Sequence, residues 1–186
     1  MNIQAAGDSL IKHVIAATGK AGKGIAVNSK GGNFLLIFGE TAGGEYERVG
    51  IDDQLGEAFY IRLRGAVDET ESTTLRRGSC GIASRVTAKC RLVAMTHCDS
   101  VNTLATNFRN ALTGYRKKMI APDIYDAYAS PKSIQYDFAT IVIEEVPEDK
   151  RESVTGWEGA MRLIAIDFDL NYTLEDCGTT AAKCTC

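Results

Sequence analysis

At 186 residues and 20.1 kDa, with 45% hydrophobic and 24% charged residues, the chain has the length and composition of one globular domain that buries its own core. A formal net charge of −3 excludes a surface built mainly of cations for gripping nucleic-acid phosphates, leaving room only for a local basic patch. No apolar run approaches the roughly 20 residues of a membrane helix, and no basic region precedes the apolar N-terminal stretch, so neither a span nor a signal peptide is expected. Six cysteines in such a chain point to a reducing compartment during synthesis.

In chain order, Asp8 or Ser9 offers a helix cap, and Leu10, Val14, Ile15 and Ala17 recur at helical spacing up to Gly19. The glycine-rich link Lys20–Gly24 leads to a predicted hairpin over Ile25–Glu40, turning at Gly31-Gly32-Asn33. Ala58–Val67 reads as a half-buried strand, with Phe59, Ile61, Leu63 and Val67 inward and Tyr60, Arg62 and Arg64 outward. Asp68–Ser84 lacks apolar periodicity and predicts a long loop, functional or disordered, that carries Arg76 and Arg77. In the strand Arg85–His97, Val86, Ala88, Cys90, Leu92 and Ala94 face in, and Thr87, Lys89 and Arg91 face out. The clearest helix follows: Asp99 or Ser100 caps it, Val101, Leu104, Ala105, Phe108 and Leu112 form its stripe, and Gly114 stops it. Tyr115-Arg116-Lys117-Lys118 brings cations to its C-terminal end, where the helix dipole favours them. Residues 119–133 read as an irregular link and Ile134–Val146 as a strand running into a charged turn.

The longest alternation comes near the end. Arg162 to Leu174 places Ile164, Ile166, Phe168, Leu170, Tyr172 and Leu174 on one strand face, with Asp167, Asp169, Asn171 and Thr173 on the other. A helical reading gives these residues no clean stripe. Strands outnumber helices, and consecutive strands mostly lack a helical crossover. The fold class is therefore α+β: a mainly antiparallel twisted β-sheet with two helices on one face and long polar insertion loops. It forms a single domain, 1–186, with its core at about 8–174 and a cysteine-containing tail at 175–186.

Several short patterns invite chemistry. Ala17–Gly24 resembles a phosphate loop, but its first glycine is Ala17, its Ser/Thr position is Gly24, and a helix precedes it where a strand is needed. His97 and Cys98, adjacent on a strand, point to opposite faces, so the histidine is no base for the thiol. Ser79-Cys80-Gly81 has no base nearby, and Asn171-Tyr172-Thr173 has no secretory context for glycosylation. Asp167 and Asp169, about 7 Å apart on one face, could hold a metal or act as acid and base; without a histidine or third ligand they read as polar surface. Cys177, Cys184 and Cys186 lack zinc-site spacing, and a small polar tail frays unless a crosslink, a metal or a neighbouring chain holds it. No catalytic residue, cofactor site or metal site is therefore expected.

The layout resembles the neck and tail-terminator (tail-completion) proteins of tailed bacteriophages. The helix ending at Gly19, the hairpin Ile25–Glu40, the arginine-bearing strand Phe59–Arg64, the loop Asp68–Ser84, the helix Val101–Leu112 and the closing strand Met161–Leu174 carry the likeness. Residues 115–133, 147–160 and the cysteine tail exceed the small members. The resemblance implies a non-enzymatic, commonly six-fold ring in the virion, assembled in the host cytoplasm, between head connector and tail tube. DNA would pass through it without sequence-specific binding, and no membrane or cofactor is involved. Asp167, Asp169, Asn171, Thr173, Arg76 and Arg77 become candidate subunit-interface or lumen residues. A lumen lined instead by Arg76, Arg77 and Lys89 would contradict that placement. The alternatives are an intracellular small-ligand or metal-binding module, or a thiol or carboxylate enzyme using Cys98 or the Asp167/Asp169 pair.

Overall fold

The alternating segment near the end of the chain forms β8 (Arg162–Asp176), with the rest of the main sheet built on either side of it. The structure, a computed structural model, describes residues 3–26, 38–40, 46–48, 57–72, 82–145, 148, 151 and 161–176. Before β8 come α1 (Ile3–Thr18), β1 (Ala21–Ala26), β2 (Phe38–Glu40), β3 (Tyr46–Arg48), β4 (Glu57–Ser72), β5 (Ile82–Thr96), α2 (Val101–Gly114), β6 (Arg116–Ala121), β7 (Ile124–Gln135) and α3 (Phe138–Glu145). The main sheet has the order β1-β4-β5-β8-β7-β6, and β2 pairs with β3 apart from it. Every pairing in the main sheet is antiparallel except that of β1 with β4. This is the α+β, mainly antiparallel architecture that the alternation implies.

One face of the sheet holds the core. Ile164, Ile166, Phe168, Leu170 and Tyr172 on β8 are buried with Phe59 and Ile61 on β4 and with Val86, Ala88, Cys90, Leu92 and Ala94 on β5. The helix α2 lays Leu104, Ala105, Phe108 and Leu112 on that face, and Phe108 meets Phe59 edge-on at 5.2 Å between ring centres. Burying each such side chain contributes about 1.5–3 kcal/mol, so the stripe and not intrinsic propensity holds the helix. Ser100 caps it, its Oγ accepting from the Thr103 N–H at 3.1 Å.

Several expectations are corrected. The helix α1 starts at Ile3, so Asp8 and Ser9 lie inside it and cap nothing; Ile3, Ala6, Leu10, Ile11 and Val14 set its buried stripe, leaving Ile15 37% exposed. Gly19 does end it, at φ +69°, a backbone that glycine adopts freely. Second, the Lys20–Gly24 link is mostly strand, and β1 pairs in parallel with β4. Phe38–Glu40 pairs with Tyr46–Arg48, and the expected Gly31–Asn33 turn lies outside the described residues. A hairpin signal is local, whereas a parallel partner far along the chain leaves no local mark.

Third, both ends of the expected Asp68–Ser84 loop are strand, with Asp68 opposite Thr87 and Ser72 opposite Ala83. Backbone pairing sustains a strand there although the side chains are polar. Residues 73–81, with Arg76 and Arg77, lie outside the described residues. Fourth, residues 119–133 are not an irregular link. They belong to the β6–β7 hairpin, which turns at Pro122-Asp123, where proline presets the backbone.

The expected strand Ile134–Val146 is likewise β7 for its first residues and then α3. Asp137 caps α3, accepting from the Thr140 N–H at 2.9 Å. Among the described residues there are thus three helices rather than two, and α3 lies across the face opposite α1 and α2. Its Glu145 bonds Tyr60, Arg62 and Arg91, which alternate with the core residues Phe59, Ile61, Cys90 and Leu92. Among the described residues no helix is long and apolar enough to cross a membrane.

Candidate functional site

The face beneath α3 gathers the charges. Register places Arg62 of β4 opposite Arg91 of β5, and Arg91 opposite Asp167 of β8. Neighbouring cations on one face repel and require carboxylates between them. Asp167 grips Arg91 in a two-point pair, Nε to Oδ1 at 2.7 Å and Nη2 to Oδ2 at 3.0 Å, which matches the guanidinium fork. The last turn of α3 supplies the others. Glu145, its side chain fully buried, accepts from Tyr60 Oη at 2.8 Å, Arg62 Nη2 at 2.6 Å and Arg91 Nη1 at 3.2 Å. Glu144 also pairs with Arg91. Arg64, beside the bulge between Leu63 and Val67, reaches Asp167 at 3.1 Å, and Ser133 Oγ donates to Asp167 at the same distance.

Arg62, Arg64 and Arg91 therefore face Glu144, Glu145 and Asp167, and the formal charges cancel. Burial alone would lower the pKa of Arg91, but its bonds to Asp167 and Glu144 outweigh that and hold the guanidinium above its ordinary value. Burial likewise works to raise Asp167, yet the arginines hold its carboxyl below the usual range. The Tyr60 phenol is pushed well up by burial and then by the Glu145 charge. A carboxylate bound this way is a poor general base, because taking a proton would break its ion pairs. The cluster fixes the placement of α3 on the sheet. It serves orientation more than net stability, since desolvating ions offsets most of their attraction.

The other candidate residues follow Asp167 along β8. Asp169 pairs with Lys132 at 2.6 Å, and Asn171 Oδ1 accepts from Thr87 Oγ1 at 2.9 Å. Thr173 is half-buried, in line with Arg85 and Tyr125. The two aspartates thus go to different cations, and among the described residues no three His, Cys, Asp or Glu side chains converge as a metal site. His97 and Cys98 lie in a bend beyond the end of β5, not on the strand as expected. His13 Nε2 is 3.1 Å from the Ala111 carbonyl oxygen, its ring edge-on to Tyr115. Cys90 is a core thiol, pushed up to about 12 chiefly by burial. Cys177, Cys184 and Cys186 lie outside the described residues.

Sequence reasoning missed Glu144 and Glu145 and turned Tyr60 and Arg91 toward water. A signal existed: Phe138, Ile141, Val142 and Glu145 follow a helical stripe behind Asp137, a capping residue. The margins of the sheet complete the geometry. At one side β6 carries Arg116, Lys117, Lys118 and Met119, all exposed, Met119 by 66%. At the other, β1 covers β4 only from Ala58 to Arg62, and Asp68, Glu69 and Thr70 are exposed. No protein-family model matches the chain, and neither does any curated protein.

Proposed function

We propose that this chain is a structural virion subunit of a tailed phage, a neck or tail-terminator protein that forms a ring with copies of itself between head connector and tail tube. It carries out no catalysis, and DNA slides through the ring without being read. The observation that carries the reading is the open sheet. Among the described residues, β6 and the outer half of β4 have no partner strand on their outer sides. Exposed edges are a liability in an isolated domain, and closing a ring of identical subunits removes them. The arginine–carboxylate cluster supports it too: locked and charge-balanced, it suits a rigid scaffold. Light scattering on a size-exclusion column, with negative-stain microscopy of the same fractions, tests the proposal. Annular oligomers are expected, and a monomer at every concentration, with no annuli, overturns it.

A further inference from the structure

The two margins of the sheet stand at different heights. Following the register across the strands, Asp68 lies in line with Thr87, Asn171, Tyr128 and Arg116. Thr70 lies in line with Arg85, Thr173, Tyr125 and Met119. The strand β6 is therefore level with the outer half of β4. At the opposite margin β1 is level with the inner half, where Arg62, Arg91, Asp167 and Ser133 share a row. The upper tier reads β4-β5-β8-β7-β6 and the lower tier β1-β4-β5-β8-β7, one offset from the other by a strand. Such a stepped outline complements itself. A copy set alongside brings its outer β4, which has no partner strand on that side among the described residues, to β6 and seats its β1 beneath, beside the lower part of β7.

Charge agrees with shape. On β6, Arg116 lies on the α3 side of the sheet, since it pairs with Tyr128 in the row of Asn171 and Thr87. Asp68 occupies the same row and side. Lys117 pairs with the core residue Ala127 and Glu69 with the core residue Val86, so both belong to the α1–α2 side. Cation faces carboxylate on both sides of the joint. Present contacts do not compete strongly: Asp68 has Lys89 at 3.4 Å, an exposed pair of little worth, and Arg116 lies over the Tyr128 ring at 5.9 Å. A cationic edge repels its own copy, so β6 meeting β6 is disfavoured while β6 meeting β4 is favoured. The run of antiparallel pairings leaves β4 and β6 pointing the same way, as a rotation about an axis along the strands requires.

We infer that copies of this chain join head to tail, β6 of one against residues 67–70 of β4 in the next, with Arg116 facing Asp68 and Lys117 facing Glu69. This deepens the ring reading, and rests on it only in taking the neighbour to be a second copy. The test uses two reversed variants of the full chain, R116E/K117E and D68K/E69K, compared with wild type by sedimentation velocity and negative-stain microscopy. All four positions are exposed, and circular dichroism checks that each variant folds. Each variant alone should lose assembly by at least about tenfold in concentration, an effect of about 1.4 kcal/mol. An equimolar mixture should restore it, because every joint then regains opposite charges. Variants that assemble as wild type does, or a mixture that stays apart, overturn the joint. Wild-type annuli indifferent to both reversals would sink the joint and keep the ring; open filaments lost on reversal would keep the joint and sink the ring.

Discussion

Arg91 shares a strand face with Thr87 and Lys89, yet it is only 2% exposed while Lys89 reaches solvent. The difference lies in partners: Arg91 has Asp167 beside it and α3 above it, whereas Lys89, among the described residues, pairs with the exposed Asp68. A guanidinium tolerates burial when its fork is filled, and a flexible ammonium on an open face has no reason to leave water. Asp167 gives this pairing a pH signature. Its folded pKa lies below the unfolded value of about 3.9, so the stability it contributes is present above that value and lost as pH falls through the folded pKa. Asp167→Asn should lower stability at neutral pH by about 1–2 kcal/mol, allowing for partial exposure. It should also flatten the acid limb of stability against pH. Urea unfolding at a series of pH values measures both, and an unchanged acid limb would remove Asp167 from this role.

At the scale of elements, α3 shows how local preference is overridden. Phe138, Thr140, Ile141, Val142 and Ile143 are β-favouring residues, and composition reads them as strand. Their helix forms because Asp137 caps it and because Ile141, Val142 and Glu145 lie on one buried side. Glu145 ties the last turn of α3 to Tyr60, Arg62 and Arg91. Glu145→Ala should cost about 3–5 kcal/mol, leaving Arg62 and Arg91 short of a counter-ion. The exposed Glu148→Ala should stay within about 0.5 kcal/mol. Hydrogen exchange localises the effect: faster exchange in 138–145 ahead of β5 and β8 is expected. Uniform loss across the sheet would mean that Glu145 supports the whole core and not one helix.

For the whole molecule, the proposed joint between copies is electrostatic in character. The charges on β6 and on outer β4 are exposed, so salt screens them: the Debye length falls from about 10 Å at 0.1 M to about 3 Å at 1 M. Oligomers of the wild type should dissociate progressively over that range, as followed by light scattering, while circular dichroism stays constant. Assembly that strengthens with salt would instead mark an apolar interface. The resemblance to neck and tail-terminator proteins pointed to the polar face of β8 as the contact surface. Asp167, Asp169 and Asn171 there are bonded within the chain, and the exposed charges of Asp68, Glu69, Arg116 and Lys117 lie at the margins.

Alternation by itself determined the core strands. Period two in 164–174 and 86–94, and period 3.6 in 101–112, each follow from a single chain meeting one apolar face, and each is visible without neighbours. Tertiary structure alone decided what depends on distant pairing: that β1 joins β4 in parallel, that Asp68–Ser72 continues a strand, and that 138–145 coils above the arginines. It also decided the site. Arg62, Arg91, Glu145 and Asp167 come from four separate elements, and their charges cancel only because strand register and the landing of α3 bring them within hydrogen-bond reach. Local pattern records which face a residue prefers, while the partner that makes a buried charge tolerable is fixed by the fold.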